Sequence, residues 1–443
     1  MIGFDSTFDT AFQCIKSWSL RTKLDEVTFV RDVYGKIVFW MGNHDTVPEE
    51  ETQLLAGYLR ERMGAYFSGR IYWKKPERRG EKERLKPIGE EIEEKRREWK
   101  NEDGIQYYLL ERPIAKKAWI YGAEREESVW PYEEAIQPSG VKVITFYSFK
   151  GGMGRTTALA GAALALAGEG KDVMMVDMDI EAPGLATLFV PEERIGKGVL
   201  DYMIESTVDP GVQIGDYVLD VTDPALLRED DGRVYLVPAG KVDQHYLQKL
   251  ARIDYQDHRE NALRESLSRL LTALRAHYQV DYILVDARAS FHDMGGVAAV
   301  QLPHGVVLFG NDTRQSWDGM AQVLHTIGES HDADFPVMIV DTMCLPPTSP
   351  EYAAAKSHFI QRAYTACADN YYDEGNPEPG IDAVDVPHAA EFIPFNSELQ
   401  RGVELISDGS QEQNDRVAAY REQLTGEAYR TITRRIKSWF GEE

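Results

Sequence analysis

Cysteine is scarce in this chain. Three occur in 443 residues, Cys14, Cys344 and Cys367, far apart and without a CxxC pair. That spacing excludes a disulfide framework or a cysteine zinc site, and the expected compartment is a reducing cytoplasm. Long apolar runs are absent too. No stretch reaches the roughly 18 residues a membrane helix needs, so none is expected. The opening MIGFDSTFDTAFQCIKSW has no basic region followed by an apolar core and does not read as a signal peptide. Positive charge is in deficit: 49 Lys and Arg against 73 Asp and Glu, a net charge of −24. Nucleic-acid binders carry a basic footprint, so this balance argues against direct binding to bulk DNA, though not against a local basic patch. Ten histidines are scattered with no HExxH spacing, so His245, His292 and His304 read as local hydrogen-bonding residues. Ser290 sits in RASFHD without a GxSxG elbow, which argues against a hydrolase triad. There is no internal repeat and no low-complexity tract.

What is present falls into two parts. Residues 1–138 read as a small α+β domain. DEVTFVRDVYGKIVFWMG gives a strand, the Tyr34-Gly35 turn and a second strand. EEETQLLAGYLRERMG puts Leu54, Leu55, Tyr58, Leu59 and Met63 on one helical face. The mixed-charge run WKKPERRGEKERLKPIGEEIEEKRREWKNEDG, with both signs interleaved, reads as a solvated loop and helix. IQYYLLERPI reads as another strand, and no chemical motif stands out here. IQPSG, Ile136 to Gly140, is the candidate linker. From 139 to 443 the pattern is α/β. Short apolar runs at Val141–Tyr147, Asp172–Val176, Val234–Val237, Tyr282–Val285, Val306–Phe309, Val337–Val340 and Phe392–Pro394 alternate with helices such as Thr156–Ala167 and His258–Tyr278. Strands buried on both faces imply a mostly parallel sheet flanked by helices.

The chemistry concentrates at the ends of those strands. ITFYSFKGGMGRTTALA is a strand, a loop carrying Lys150, Gly151, Gly152, Met153, Gly154 and Arg155, then a helix that opens on Thr156 and Thr157. Glycines between a strand and a helix let backbone N–H groups close on an anion, and the helix N-terminus adds partial positive charge. The Thr156 hydroxyl is placed to bind Mg²⁺. In KDVMMVDMDIEAPGL, Asp177 and Asp179 end the second strand, where carboxylates suit a Mg²⁺ shell and the orientation of water, or else cap a loop. In VDYILVDARASFHDMGG, Asp286 ends an apolar strand as a Walker B aspartate does, and Gly295-Gly296 could let the following loop respond to a phosphate.

KGGMGRTT resembles the deviant Walker A motif of the ParA/MinD-like P-loop ATPases. The runs Ile144–Thr157, Val176–Leu185, Asp286–Gly296, Val300–Phe309 and Phe392–Asn396 resemble a bacterial signalling and conflict-type subgroup whose loop reads KGGxGR. The resemblance covers most of 139–443; before it, only VRDVYGKI is similar. It implies a P-loop NTPase fold preceded by the small α+β domain, ATP and Mg²⁺ as cofactors, and a nucleotide-dependent homodimer in which Lys150 reaches the partner's nucleotide. It implies magnesium positions at Thr156 and Asp286, with Asp177 beside them, and a water-positioning role for Asp179. It also implies adenine contacts among Asp341, Pro394, Phe395 and Asn396, for which ordinary loop roles stay open.

Two departures matter. Arg155 stands where the motif has lysine; it keeps the charge but is planar and bulky, so binding with slow hydrolysis is expected. DARAS lacks the Pro-Gly that often follows the Walker B aspartate. At the C-terminus, YRTITRRIKSWFGEE puts Ile432, Ile436, Trp439 and Phe440 on one face; a docked terminal helix is the preferred reading and a membrane-touching tail the other. The expected function is an ATPase switch controlling an unidentified protein partner through residues 1–138 or the dimer surface. The alternatives are a nucleotide-sensing scaffold with little turnover and a ParA-like partitioning or positioning ATPase. A kinase is disfavoured because the tail carries only isolated Tyr420 and Tyr429.

Overall fold

The computed structural model describes residues 2–44, 47–75, 79–122, 132–137, 140–209, 211–253, 262–331, 335–372, 378–400 and 402–442. The chain divides into two compact units, Met1–Ile114 and Ala115–Glu443. The division falls ahead of the 138 boundary read from sequence, because the helix Lys117–Tyr121 packs into the core of the second unit through Ala118 and Trp119. Pro138 and Ser139 of the expected linker lie outside the described residues, as do 258–261 at the start of the helix expected at His258.

The first unit is a five-stranded mixed sheet of β1 (Leu24–Arg31), β2 (Ile37–Asn43), β3 (Phe67–Trp73), β4 (Arg97–Glu102) and β5 (Ile105–Glu111), in the order β3-β2-β1-β5-β4. The β1–β2 hairpin turns through Gly35, while Asp32 accepts the N–H groups of Tyr34 and Lys36, each at 2.9 Å. Helices Thr7–Lys16 and Glu49–Met63 cover one face, burying Phe12 and Ile15, and Leu55, Leu59 and Met63, against Phe29, Phe39 and Tyr107. Leu54, expected on that face, is 64% exposed: the buried stripe is the narrower i, i+4, i+8 row. The mixed-charge run forms the helix Arg79–Lys95 and strand β4. The helix buries Leu85 and Ile92 against Trp40 on the second face of the sheet, so it is not wholly solvated.

The second unit carries an eight-stranded sheet, β6 (Lys142–Ser148), β7 (Val173–Asp177), β8 (Leu219–Val221), β9 (Val234–Val237), β10 (Tyr282–Asp286), β11 (Gly305–Gly310), β12 (Val337–Cys344) and β13 (Glu391–Pro394). Their order is β13-β12-β11-β6-β10-β7-β9-β8, and every neighbouring pair is parallel except β8–β9 at the edge. The α/β class and the mostly parallel, helix-flanked sheet read from sequence are therefore present. β6, β7, β9, β10 and β11 are buried along their whole length, so their sequences are mainly apolar with no alternation, the polar exceptions being Lys142, Thr145 and Ser148 of β6 and the Asp that ends β7 and β10. Consecutive β6 and β7 are separated by β10. That inserted strand brings the carboxyl ends of all three side by side, with Asp286 level with Phe146 on one flank and Asp177 on the other.

The helix Arg155–Ala167 is almost entirely buried because it is alanine-rich; small side chains let it lie between the sheet and the C-terminal helices Gln411–Leu424 and Glu427–Ser438. Ile432, Ile436 and Phe440 join that core, so the apolar face of the terminal helix is covered by its own domain. Arg435, on the same helix, is buried and donates to the carbonyls of Val386 and Ala389. No described helix is long and apolar enough to cross a membrane.

Candidate functional site

The glycine loop leaves β6 at Ser148 and enters the helix at Arg155. Gly152 and Gly154 have φ of +76° and +66°, the left-handed region that a side chain would strain, and a Cβ on either would meet nothing within 4 Å. Gly151, Gly152 and Gly154 are exposed while Met153 is buried, pinning an otherwise open loop to the core. Lys150 makes no hydrogen bond or ion pair among the described residues. Thr157 is half-buried in the first turn.

Arg155 turns inward. Its Nε donates to Oδ1 of Asp286 at 2.5 Å and its Nη2 to Oδ2 of Asp179 at 3.2 Å. Burial works against the guanidinium charge, but Asp286 and then Asp179 outweigh it and raise its pKa. The Thr156 hydroxyl donates to the other Asp286 oxygen at 2.7 Å. Asp286 is held above the usual carboxylate range by burial, with Arg155 opposing the shift. The Asp286 carboxylate and the Thr156 hydroxyl are oxygen donors of the kind a hard divalent ion takes, and Arg155 competes for one of the carboxylate oxygens.

Asp177 is used differently. It is wholly buried, and it accepts the backbone N–H groups of Asp179 at 3.0 Å, Gly184 at 3.2 Å and Leu185 at 3.1 Å. Burial and then the neighbouring Asp286 push its carboxyl up, while those N–H groups pull the other way. This geometry favours the loop-capping alternative over the metal-shell role expected for Asp177. Among the described residues, no three Asp, Glu, His or Cys side chains converge as a ready metal cage. The oxygens of Thr156 and Asp286 suit Mg²⁺, which commonly takes one or two protein oxygens and completes its shell with phosphates and water.

Asp179 sits between two arginines. Arg155 holds one oxygen; Arg288 holds the other at 2.8 Å, where the N–H of Ala182 also donates at 3.2 Å. Arg288 reaches Glu181 at 3.4 Å, and Glu181 pairs with His292 at 2.6 Å. Sequence reasoning gave Arg288 and Glu181 no role. The available signal was a charged residue two places beyond each strand-ending aspartate, Asp179 and Asp286.

A strap from the start of the unit fastens the far end of this loop. The Lys116 backbone and ammonium donate to the two oxygens of Asp293 at 2.5 and 3.0 Å, and the Trp119 indole donates to the carbonyl of His292 at 2.9 Å. Trp119 packs its ring on Tyr147 and Phe291. Gly295 and Gly296, expected to give this loop freedom, serve close packing instead: a Cβ would meet the Arg288 carbonyl at 2.5 Å and the Trp119 indole at 2.8 Å respectively. His304 accepts the Val143 N–H at 3.0 Å, consistent with the local role read for it.

The adenine candidates share the same sheet edge but differ in availability. Asp341, at the end region of β12, is 7% exposed; burial and then Asp312 push its carboxyl up to about 7. Phe395 is 47% exposed and Pro394 half-buried. Asn396 is occupied, donating to Gln423 of the helix Gln411–Leu424 and accepting the Glu398 N–H, each at 2.9 Å. A cavity of about 510 Å³ is lined by Asp177 and by residues including Gly184, Ile195, Lys241 and Ile406, and its lining does not include the glycine loop.

Residues 141–334 match the family described as AAA domain. The septum site-determining protein MinD of Helicobacter pylori is 30% identical over 147 residues, 33% of this chain and 44% of that protein. Residues 141–334 form a P-loop domain of the ParA/MinD-like ATPase class. The protein virC1 of Rhizobium rhizogenes is 51% identical over 43 residues, 10% of this chain and 19% of its own length. Among solved structures, the septum site-determining protein MinD of Pyrococcus horikoshii, in complex with Mg-ADP, covers 64% of this chain and 96% of its own at 17% identity and a TM-score of 0.39. The match to the Helicobacter MinD spans less than half of that relative, so its ParA/MinD-like character belongs to this domain.

Proposed function

We propose that this protein is a Mg-ATP-dependent dimerising switch with slow hydrolysis that acts on a protein partner. The observation that carries the reading is the arrangement of cations around one open glycine loop: Arg155 turned in onto Asp286 and Asp179, and Lys150 without a partner among the described residues. In this reading the loop N–H groups and Arg155 bind the phosphates, and Thr156 and Asp286 hold Mg²⁺, which supplies charge neutralisation when bound. Asp179 orients water and Lys150 completes the site of a second copy. Asp341, Pro394 and Phe395 are offered for the base; Asn396 is the weakest of the four because its amide is engaged. Residues 1–114 or the dimer surface would carry the output. The free cysteines suit a reducing cytoplasm, and the net charge of −24 argues against bulk DNA as the partner.

Size measurement with ATP, with ADP and without nucleotide tests this. The expected outcome is a dimer with ATP only, lost in Lys150→Ala; a monomer under all three conditions refutes it. A second reading, a nucleotide sensor with negligible turnover, is favoured by one feature: Arg155 is already neutralised by two buried carboxylates that catalysis would need. Steady-state phosphate release against an Asp179→Ala blank separates the two, since a sensor would match the blank.

A further inference from the structure

The two oxygens of Asp179 are held in unequal ways. Among the described residues Oδ2 is held by Arg155 alone, at 3.2 Å, from the first turn of the phosphate-loop helix. Oδ1 is held by Arg288 at 2.8 Å and by the Ala182 N–H, from two different loops. Arg155 stands where an arriving polyphosphate would compete for its guanidinium, because phosphate and carboxylate take the same planar fork. Arg288 is braced against that competition. Its second nitrogen faces Glu181, and Glu181 is fixed by His292 Nε2. The Nδ1 of His292 accepts the Met294 N–H at 3.3 Å, so in the neutral ring Nε2 carries the proton and donates to Glu181. The His292 carbonyl is in turn tied to Trp119.

We propose that Arg288 is the positioning residue for Asp179: it keeps Oδ1 fixed while Arg155 releases Oδ2, leaving one aligned, exchangeable oxygen to accept a hydrogen bond from water. The inference rests on the proposed role of Asp179 in orienting water. It also accounts for the absence of Pro-Gly after Asp286, since here an arginine on that loop ties it to the Asp177–Leu185 loop. A lysine would keep the charge but not the planar fork with which Arg288 meets Asp179 through one nitrogen and Glu181 through the other.

The test compares wild type, Arg288→Gln, Arg288→Lys and Glu181→Gln by steady-state phosphate release with Mg-ATP, and by equilibrium binding of a fluorescent ADP. A lost positioning contact is expected to lower kcat about 10- to 100-fold in Arg288→Gln, with KM and ADP affinity within about threefold of wild type. Arg288→Lys should recover part of kcat, and Glu181→Gln should lose less than Arg288→Gln. If Arg288→Gln keeps wild-type kcat, or loses ADP affinity as far as it loses kcat, the inference is overturned. Should Arg288→Gln fail to fold, Arg288→Lys is judged by the same two criteria. Wild-type release no faster than that of Asp179→Ala overturns the hydrolysis reading and this inference with it. A hydrolysing wild type matched by Arg288→Gln overturns this inference alone.

Discussion

Replacing Arg155 by alanine removes one guanidinium from two buried carboxylates. Its side chain is 9% exposed, and those of its partners Asp286 and Asp179 are 2% and 10% exposed. Breaking a buried ion pair from one side costs about 3–5 kcal/mol. Two features pull the figure to the lower end: Arg288 still neutralises Asp179, and Thr156 still donates to Asp286. The neighbouring buried Asp177 works the other way, since it adds repulsion once the cation is gone. A loss of about 3 kcal/mol corresponds to a fall of about 4 °C in the melting temperature of a domain this size. The loss should depend on pH with a definite sign. Asp286 is already raised by burial, and removing Arg155 raises it further, so protonation relieves the defect as pH falls. Differential scanning calorimetry without nucleotide should therefore show Arg155→Ala most impaired at pH 8 and closer to wild type at pH 5.5. Arg155→Lys should fall between, because a single ammonium restores the charge but not the planar fork that meets Asp286 through Nε and Asp179 through Nη2. Millimolar Mg²⁺ should restore the alanine variant more than the wild type. A melting temperature within about 2 °C of wild type at pH 8, or a loss equal at both pH values, would refute the reasoning.

Asp341 gives a prediction of opposite sense. Its folded pKa of about 7 lies above its ordinary 3.8, so its ionisation weakens the fold as pH rises through that interval and the cost is complete above 7. Asp341→Asn should raise the melting temperature at pH 8 and leave it unchanged near pH 4. At the C-terminus, burial pushes the Glu442 carboxyl up, but Lys142 and Lys171 outweigh it and draw it down to about 2. That stabilisation is present above pH 4.5 and fades as pH falls toward 2, so Glu442→Gln should lower the melting temperature at pH 7 and cost little at pH 2.5. Lys142, whose side chain is 4% exposed, would otherwise be left as a buried unpaired cation. Trp119→Ala should slow phosphate release by loosening the His292 carbonyl, while ADP affinity changes little; equal losses in both would instead indicate general unfolding.

The sheet of the second unit was legible because its strands are short, apolar and buried on both faces, and because the catalytic-type motifs follow three of them. Leu219–Val221 escaped notice: it is a three-residue antiparallel edge with one exposed position, too short for any period. β4 was hidden by its composition, since REWKNE reads as charged surface, although it pairs along β5. Thr156, Arg155 and Asp286 were legible as a group from spacing alone. The division of labour between Asp177 and Asp179 was not, because both end the same strand and only the folded loop decides which carboxylate its N–H groups take. Arg288 was invisible for a related reason. Its partners lie more than a hundred residues earlier, and the one local signal, a charge two places beyond Asp286, does not name them.

The Lys116–Trp119 strap changes where the nucleotide-binding unit must be cut. The motifs begin at residue 144, and a sequence-guided excision would start at 139. Such a fragment would strip an indole from the Tyr147 and Phe291 rings, leave Asp293 without its lysine, and untie the segment that carries Arg288. An isolated unit beginning at Ala115 keeps all three contacts. Weak activity in a fragment starting at 139 would therefore reflect a missing fastening and not an inactive enzyme.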